Sequence, residues 1–313
     1  MTVVPNPDPV GFTTTPFGLC NSDGFSDANG DSARFFYPQD VKFINSDMAV
    51  VADAYNHKIR FLDLTNNYAV TSVGASSYGN TGHVDGAGTS AKFNMPHGVC
   101  VNADGSIVYV ADKHNNKIRT ITVSTNYVGT LSMSESKAWL GCVVAGDRII
   151  ATDYTAIYEI EIETGDIVKT YADTAQVKKV SVSHDLDTIF FADNGYHSGY
   201  QIWKIPRSGD TKILVAGTPN SGSNTAVVDG TIDQATFWNS WSIVVSKDGN
   251  TLYVSQTNNL RKIDLAAGVV TTIAGPLTND GGCTTNTDGT SARFGSLRGM
   301  DISSDGSYLL IAD

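Results

Sequence analysis

No apolar run in this sequence approaches the roughly eighteen residues that a membrane-spanning helix needs. Charge is sparse at 17% of residues, and lopsided: 32 Asp and Glu against 21 Lys and Arg leave a net −11. A field of that sign repels a phosphate backbone at long range, which tells against a general nucleic-acid binder. Glutamate is nearly absent, confined to Glu135, Glu159, Glu161 and Glu163. The acid is mostly Asp among Gly, Asn and Ser, where it bonds its own backbone in turns. There is no Gly-x-Ser-x-Gly, no His-Glu-x-x-His and no phosphate loop, so the common signatures of serine hydrolases, zinc proteases and nucleotide-binding enzymes are missing.

Cysteine is also scarce. Cys20, Cys100, Cys142 and Cys283 show no metal-ligand or Cys-x-x-Cys spacing. Cys100 and Cys142 lie in apolar strands and read as buried thiols acting as small hydrophobes. Cys20 and Cys283 each follow an outermost strand in neighbouring units and form a candidate disulfide. Residues Met1 to Pro9 carry no charged-then-apolar leader. An extracellular or cell-surface setting is favoured over a cytoplasmic one.

What the sequence does have is repetition. Val51-Ala52-Asp53-Ala54-Tyr55-Asn56-His57-Lys58-Ile59-Arg60 returns as Val110-Ala111-Asp112-Lys113-His114-Asn115-Asn116-Lys117-Ile118-Arg119, and in worn form from Val254 to Ile263. Each copy reads as a strand, a polar turn and a second strand. Anchored on the residue ending the first strand, the units fall at Asp53, Asp112, Asp153, Asp193, Ser255 and Asp313, spaced by 59, 41, 40, 62 and 58 residues. A unit of about forty residues built from four short strands is the size of a propeller blade. The longer intervals hold a second repeat: Ser26 to Phe35, Val84 to Phe93, Val228 to Phe237 and Asp288 to Phe294, closing on Ser-Ala-x-Phe in three copies and on Gln-Ala-Thr-Phe in the Val228 copy. Its Asp is expected to cap a single helical turn and its Phe to plug a gap between blades. Asp104-Gly105, Asp248-Gly249 and Asp305-Gly306 occupy one equivalent turn that needs a positive φ.

With these two repeats the chain resembles the NHL-repeat β-propellers, whose units carry an Asp-Gly, a small-Ala-x-Phe, a Pro-x-Gly-Val strand entry and an Ala-Asp-x-x-Asn-x-x-Ile-Arg hairpin. Asp85 to Arg119 is the fullest copy, and the likeness is weakest from about Ser132 to Ser221. The expectation is an all-β, single-domain, six-bladed propeller of four-stranded blades: 36–74, 97–132, 139–172, 177–217, 240–275, and 298–313 completed by 1–17. The N-terminal strands close the last blade and remove two exposed sheet edges. The domain is expected to be monomeric, and possession of further chain is left open.

Function is less legible. The hairpin basic residues recur at one blade position, so Arg60, Arg119 and their like are expected to pair with the Asp that ends the preceding strand. Non-repeating residues are the better site candidates. Gln39, His97, Leu140, Lys178, Trp241 and Arg298 enter the six inner strands near the central channel, and Tyr55, His57, His114, Asn115, Tyr196 and His197 sit on the hairpin turns of the same side. From these, Trp241, Arg298, His97, Tyr55, His57 and Gln39 are the candidate ligand-binding residues. Trp238 and Trp139 join them, unless they fill gaps between blades. The expected role is a non-catalytic binding scaffold for a protein or peptide, with no cofactor. A first alternative is a metal-dependent hydrolase or lyase with calcium or zinc in the channel, as the family's six-bladed relatives imply. An RNA-binding propeller is a second, disfavoured by the net charge.

Overall fold

The computed structural model describes residues 1–5, 12–19, 22–75, 80–171, 176–194, 200–218, 227–278, 280–284 and 287–313. Antiparallel sheets of four to five strands form a ring of six blades, and the only helices among the described residues are single 3-10 turns. The first blade is built from Pro38–Phe43, Met48–Asp53, Lys58–Asp63 and Val70–Val73, paired in that order from the channel outward. The second blade repeats it with Pro96–Val101, Ile107–Asp112, Lys117–Thr122 and Tyr127–Thr130.

Alternation along a strand explains why the blades stack. In Met48–Asp53, Val50 and Ala52 point into the layer shared with the second blade, while Ala49 and Val51 point into the layer shared with the sixth. A strand apolar on both faces must be covered on both, and a closed ring of blades does so. Six apolar clusters result, one at each blade interface.

Closure follows the expected route. Thr2–Pro5 pairs with Tyr308–Ile311, which pairs with Met300–Ile302. Val3 bridges to Thr14, and Phe12–Thr13 pairs with Thr287–Asp288 as the outer edge. The glycines of the three Asp-Gly turns take φ of 74°, 74° and 73°.

The inserted segments do plug the gaps. Phe35, Phe93, Phe237 and Phe294 are buried in four of the six interfaces. The expected capping role of the Asp is corrected, however. The 3-10 turns at Gly30–Ser32 and Gly88–Ser90 have no side-chain cap. Asp27, Asp85 and Asp229 instead bind the hairpin arginines Arg60, Arg119 and Arg261 at 2.8, 2.7 and 2.8 Å, and accept from the outer-strand hydroxyls of Ser72, Thr130 and Thr272.

The cysteines hold a second correction. Cys100 and Cys142 are not free thiols but a disulfide, with Cα atoms 5.6 Å apart. They stand on the inner strands of the second and third blades, adjacent in the ring though 42 residues apart in the chain, a proximity that neither local sequence shows. Cys283 is also disulfide-bonded, while its expected partner Cys20 lies outside the described residues. The fifth anchor moves as well. Gln256 pairs across to Ser240 as Asp53 does to Pro38 and Asp112 to Pro96, so Gln256, not Ser255, takes the Asp position.

Candidate functional site

One local device shapes the channel mouth. Tyr37, Met95, Gln176 and Asn239 adopt left-handed φ of 55°, 55°, 56° and 44°, each two residues ahead of a mouth residue: Gln39, His97, Lys178 and Trp241. The strand register then slips between Pro38 and Asp40, Pro96 and Gly98, and Ser240 and Ser242. Gln39, His97 and Trp241 are thus the extra residues of β-bulges, which re-aim a side chain out of the ladder.

The next residue in each blade forms a deeper layer: Asp40, Gly98, Gly141, Lys179, Ser242 and Gly299. Lys179 of the fourth blade reaches Asp40 of the first, on the opposite side of the ring, at 2.6 Å, with both side chains buried. Its ammonium also donates to the carbonyls of His97 and Leu140 at 3.1 and 3.3 Å, and Asp40 accepts from the amides of Val41 and Val99. The glycines make room: a Cβ on Gly299 would come within 2.0 Å of Asp40 Oδ1. The oxygen set at the channel centre is therefore already engaged by a cation of the protein's own. His97 is tied in too, donating Nδ1–H to the Leu140 carbonyl at 2.8 Å. Burial, then the nearby Lys179 charge, holds its pKa well below the usual histidine value. Among the described residues no three His, Cys, Asp or Glu side chains converge as a metal site.

Above this layer the mouth is aromatic and cationic. Trp241 is half-buried, with the Lys178 ammonium and the Arg298 guanidinium each 3.6 Å from its ring centroid. Two cations that close need opposite faces of the indole, which is where the fourth and sixth blades place them. Arg298 also lies 5.3 Å from the Tyr37 ring, and Tyr37 packs edge-on against Tyr55 at 5.0 Å. The seam thus runs Lys178, Trp241, Arg298, Tyr37, Tyr55, ending on exposed rings: Tyr37 is 47% and Tyr55 39% accessible. Lys178 donates to Asn239 Oδ1 at 2.6 Å. Burial, then the charge of Arg298, lowers its ammonium pKa to about 7. Beside Arg298 opens a cavity of about 460 Å³, lined also by Tyr37, Pro38, Ser296 and Asp313.

The remaining candidates are placed as follows. Gln39 is buried at the mouth, with Nε2 3.5 Å from the Tyr37 carbonyl. His57 accepts from the Met95 amide at Nδ1, which leaves its proton on Nε2, and burial followed by His114 lowers its pKa. Trp238 packs edge-on against Tyr200 at 4.8 Å on the core between the fourth and fifth blades. Trp139 is fully buried between the second and third blades, an interface without an inserted Phe, so its bulk serves packing rather than a surface. Tyr196 and His197 lie outside the described residues. Tyr37 and Asn239 were not singled out from the sequence. Their signal was faint: each stands just before the entry of an inner strand, where no residue type recurs.

Comparison with known proteins agrees with this architecture. The NHL repeat model matches residues 93–121. The human NHL repeat-containing protein 2 is 32% identical over 134 residues, covering 42% of this chain and 18% of that protein; the chain spans about a fifth of the length of that relative. Among solved structures, a structural-genomics protein of unknown function from Bacteroides thetaiotaomicron superposes with a TM-score of 0.74 at 17% identity, over 100% of this chain and 73% of that one. An auxiliary nutrient binding protein from Bacteroides ovatus gives 0.72 at 18% identity, over 100% and 74%. The matched segment overlaps the Asp85-to-Arg119 copy that carries the repeat most fully, and the chain is a six-bladed β-propeller with a match to the NHL repeat at residues 93–121.

Proposed function

We propose that this propeller is a non-catalytic scaffold that docks a protein or peptide on the face carrying the hairpin turns and inserted segments. NHL propellers generally mediate protein interactions, and the observation that carries the choice of face is the seam from Lys178 through Trp241 and Arg298 to Tyr55. Trp, Tyr and Arg supply much of the energy at interfaces, because their rigid planar groups bury area at small entropic cost. Here they sit on a rigid ring, presented by bulged strand entries, and include the two exposed rings of Tyr37 and Tyr55. Gln39, His97 and His57 shape the floor and rim of the same mouth.

The test is Trp241→Ala. Partner binding, with the partner captured by crosslinking to the intact chain, weakens by about 2 kcal/mol or more, as hot-spot truncations do, while thermal stability changes little. A variant that unfolds, or a footprint around Asp104-Gly105 and Asp248-Gly249 on the opposite face, sinks the reading.

A further inference from the structure

The mouth has a surplus of donors. Lys178 and Arg298 have no carboxylate within ion-pair distance among the described residues; their close partners are an indole, a phenol ring and the neutral Asn239 oxygen. The third donor, Trp241 Nε1, is buried with no hydrogen-bond partner. Elsewhere in this acidic chain the buried Arg60, Arg119 and Lys179 are closed by carboxylates, and the buried Lys58 by the carbonyls of Gly74 and Ala75. A buried donor or cation left unmatched costs free energy that a ligand bringing an acceptor recovers. At the mouth the protein has gathered two cations without a direct ion pair, with only the Tyr37 side chain and the more distant Asp313 carboxylate offsetting Arg298.

We propose that the mouth between Lys178 and Arg298 receives a carboxylate of the docked peptide, either an acidic side chain or a free C-terminus. The proposal rests on the docking face argued above. The guanidinium supplies a planar donor fork suited to a carboxylate, the ammonium a second charge from the neighbouring side. Trp241 packs against the adjoining chain, and the cavity beside Arg298 gives that chain room to enter. A polyanion suits the mouth less well. Two cations match one carboxylate, whereas a run of phosphates would lie against a chain of net −11.

The indole N–H resonance of Trp241, assigned with Trp241→Phe in the isotope-labelled full chain, reports on the site directly. Three short blocked peptides serve as probes: one with an internal aspartate and an amidated C-terminus, one with a free C-terminal carboxylate and no acidic side chain, and one neutral control with asparagine for aspartate. The proposal expects at least one acidic probe to move the resonance saturably and the control not to, and the stronger of the two identifies the source of the carboxylate. Affinity for that probe falls about tenfold in Lys178→Met and in Arg298→Met, the loss typical of a charge-assisted hydrogen bond, and Lys178→Arg restores it. Cooperative melting at or above the wild-type temperature certifies that the variants are folded, and the Lys178 arm stands alone if Arg298→Met is not. Equal shifts with the neutral peptide, no shift with either acid, or tighter binding of oligouridylate at physiological salt would overturn it. If the crosslinked partner stays on this face while both Met variants bind it as wild type, the carboxylate is wrong and the face survives. A footprint on the opposite face removes both.

Discussion

Arg60, Arg119 and Arg261 lie between blades with no exposed surface, closed in by carboxylates and carbonyls, whereas Lys178 and Arg298 stand at the channel mouth against an indole. Arg119 shows what the first set does. It binds Asp112 at 3.0 Å and Asp85 at 2.7 Å, donates to the carbonyls of Lys92 and Val84 and to the Thr130 hydroxyl, and stacks 5.2 Å from Phe93. One guanidinium thereby locks strand, hairpin and inserted segment into one blade. Repetition around the ring marks such groups as structural, because every blade has the same problem to solve. The mouth cations do not repeat, and nothing in the blade needs them there.

The strongest way to break the comparison is Arg119→Met. It leaves Asp112 buried with only Asn115 and the Asn94 amide as partners, and removing one member of a buried ion pair costs about 3–5 kcal/mol. Urea unfolding measures this as a lower midpoint at unchanged slope. Arg261→Met should cost less, about 1–3 kcal/mol, as for lost hydrogen bonds. Its strand-end partner is the neutral Gln256 at 3.4 Å, and its one carboxylate, Asp229, is partly solvated. Equal losses at the two sites would mean that the stranded carboxylate is not what makes Arg119 expensive to remove.

Lys178→Met should move stability in the opposite direction, toward greater stability, since it removes a desolvated charge facing Arg298. The effect has a pH signature. The folded-state pKa of Lys178 is lowered from 10.5 to about 7, so between those values the unfolded chain binds more protons than the folded one. The cost of Lys178 is then full below pH 7 and is released as the pH rises toward 10.5. The stability gap between Lys178→Met and wild type should accordingly be widest at pH 6 and close by about pH 10. A flat gap would show that the ammonium is solvated at the mouth.

Much of the mouth was legible, because strand entries can be counted: Gln39, His97, Lys178, Trp241 and Arg298 emerge from aligning the repeats. Tyr37 and the stacking order along the seam were not. A left-handed residue ahead of a bulge leaves no residue-type signature when Tyr, Met, Gln and Asn all fill it. Trp139 misled for a related reason: at the start of a blade, a residue plugging an interface and one facing the channel look alike.

By itself the sequence determined the ring. Period-two alternation, the Asp-to-Arg hairpin and the Phe-ended insertion are local patterns, repeated until only a closed stack of blades satisfies them, and the pairing of Arg60 with Asp53 and Arg119 with Asp112 could be read seven residues apart. Tertiary structure alone decided what meets across blades. Asp40 finds Lys179 at a separation of 139 residues, through space left by glycines of other blades, and Cys100 finds Cys142 on the neighbouring inner strand. Trp241 comes to lie between Lys178 and Arg298 because the fourth, fifth and sixth blades converge on one axis. Whether a buried charge is answered or left open depends on groups contributed by several blades, and their distance along the chain says nothing of their distance in the ring.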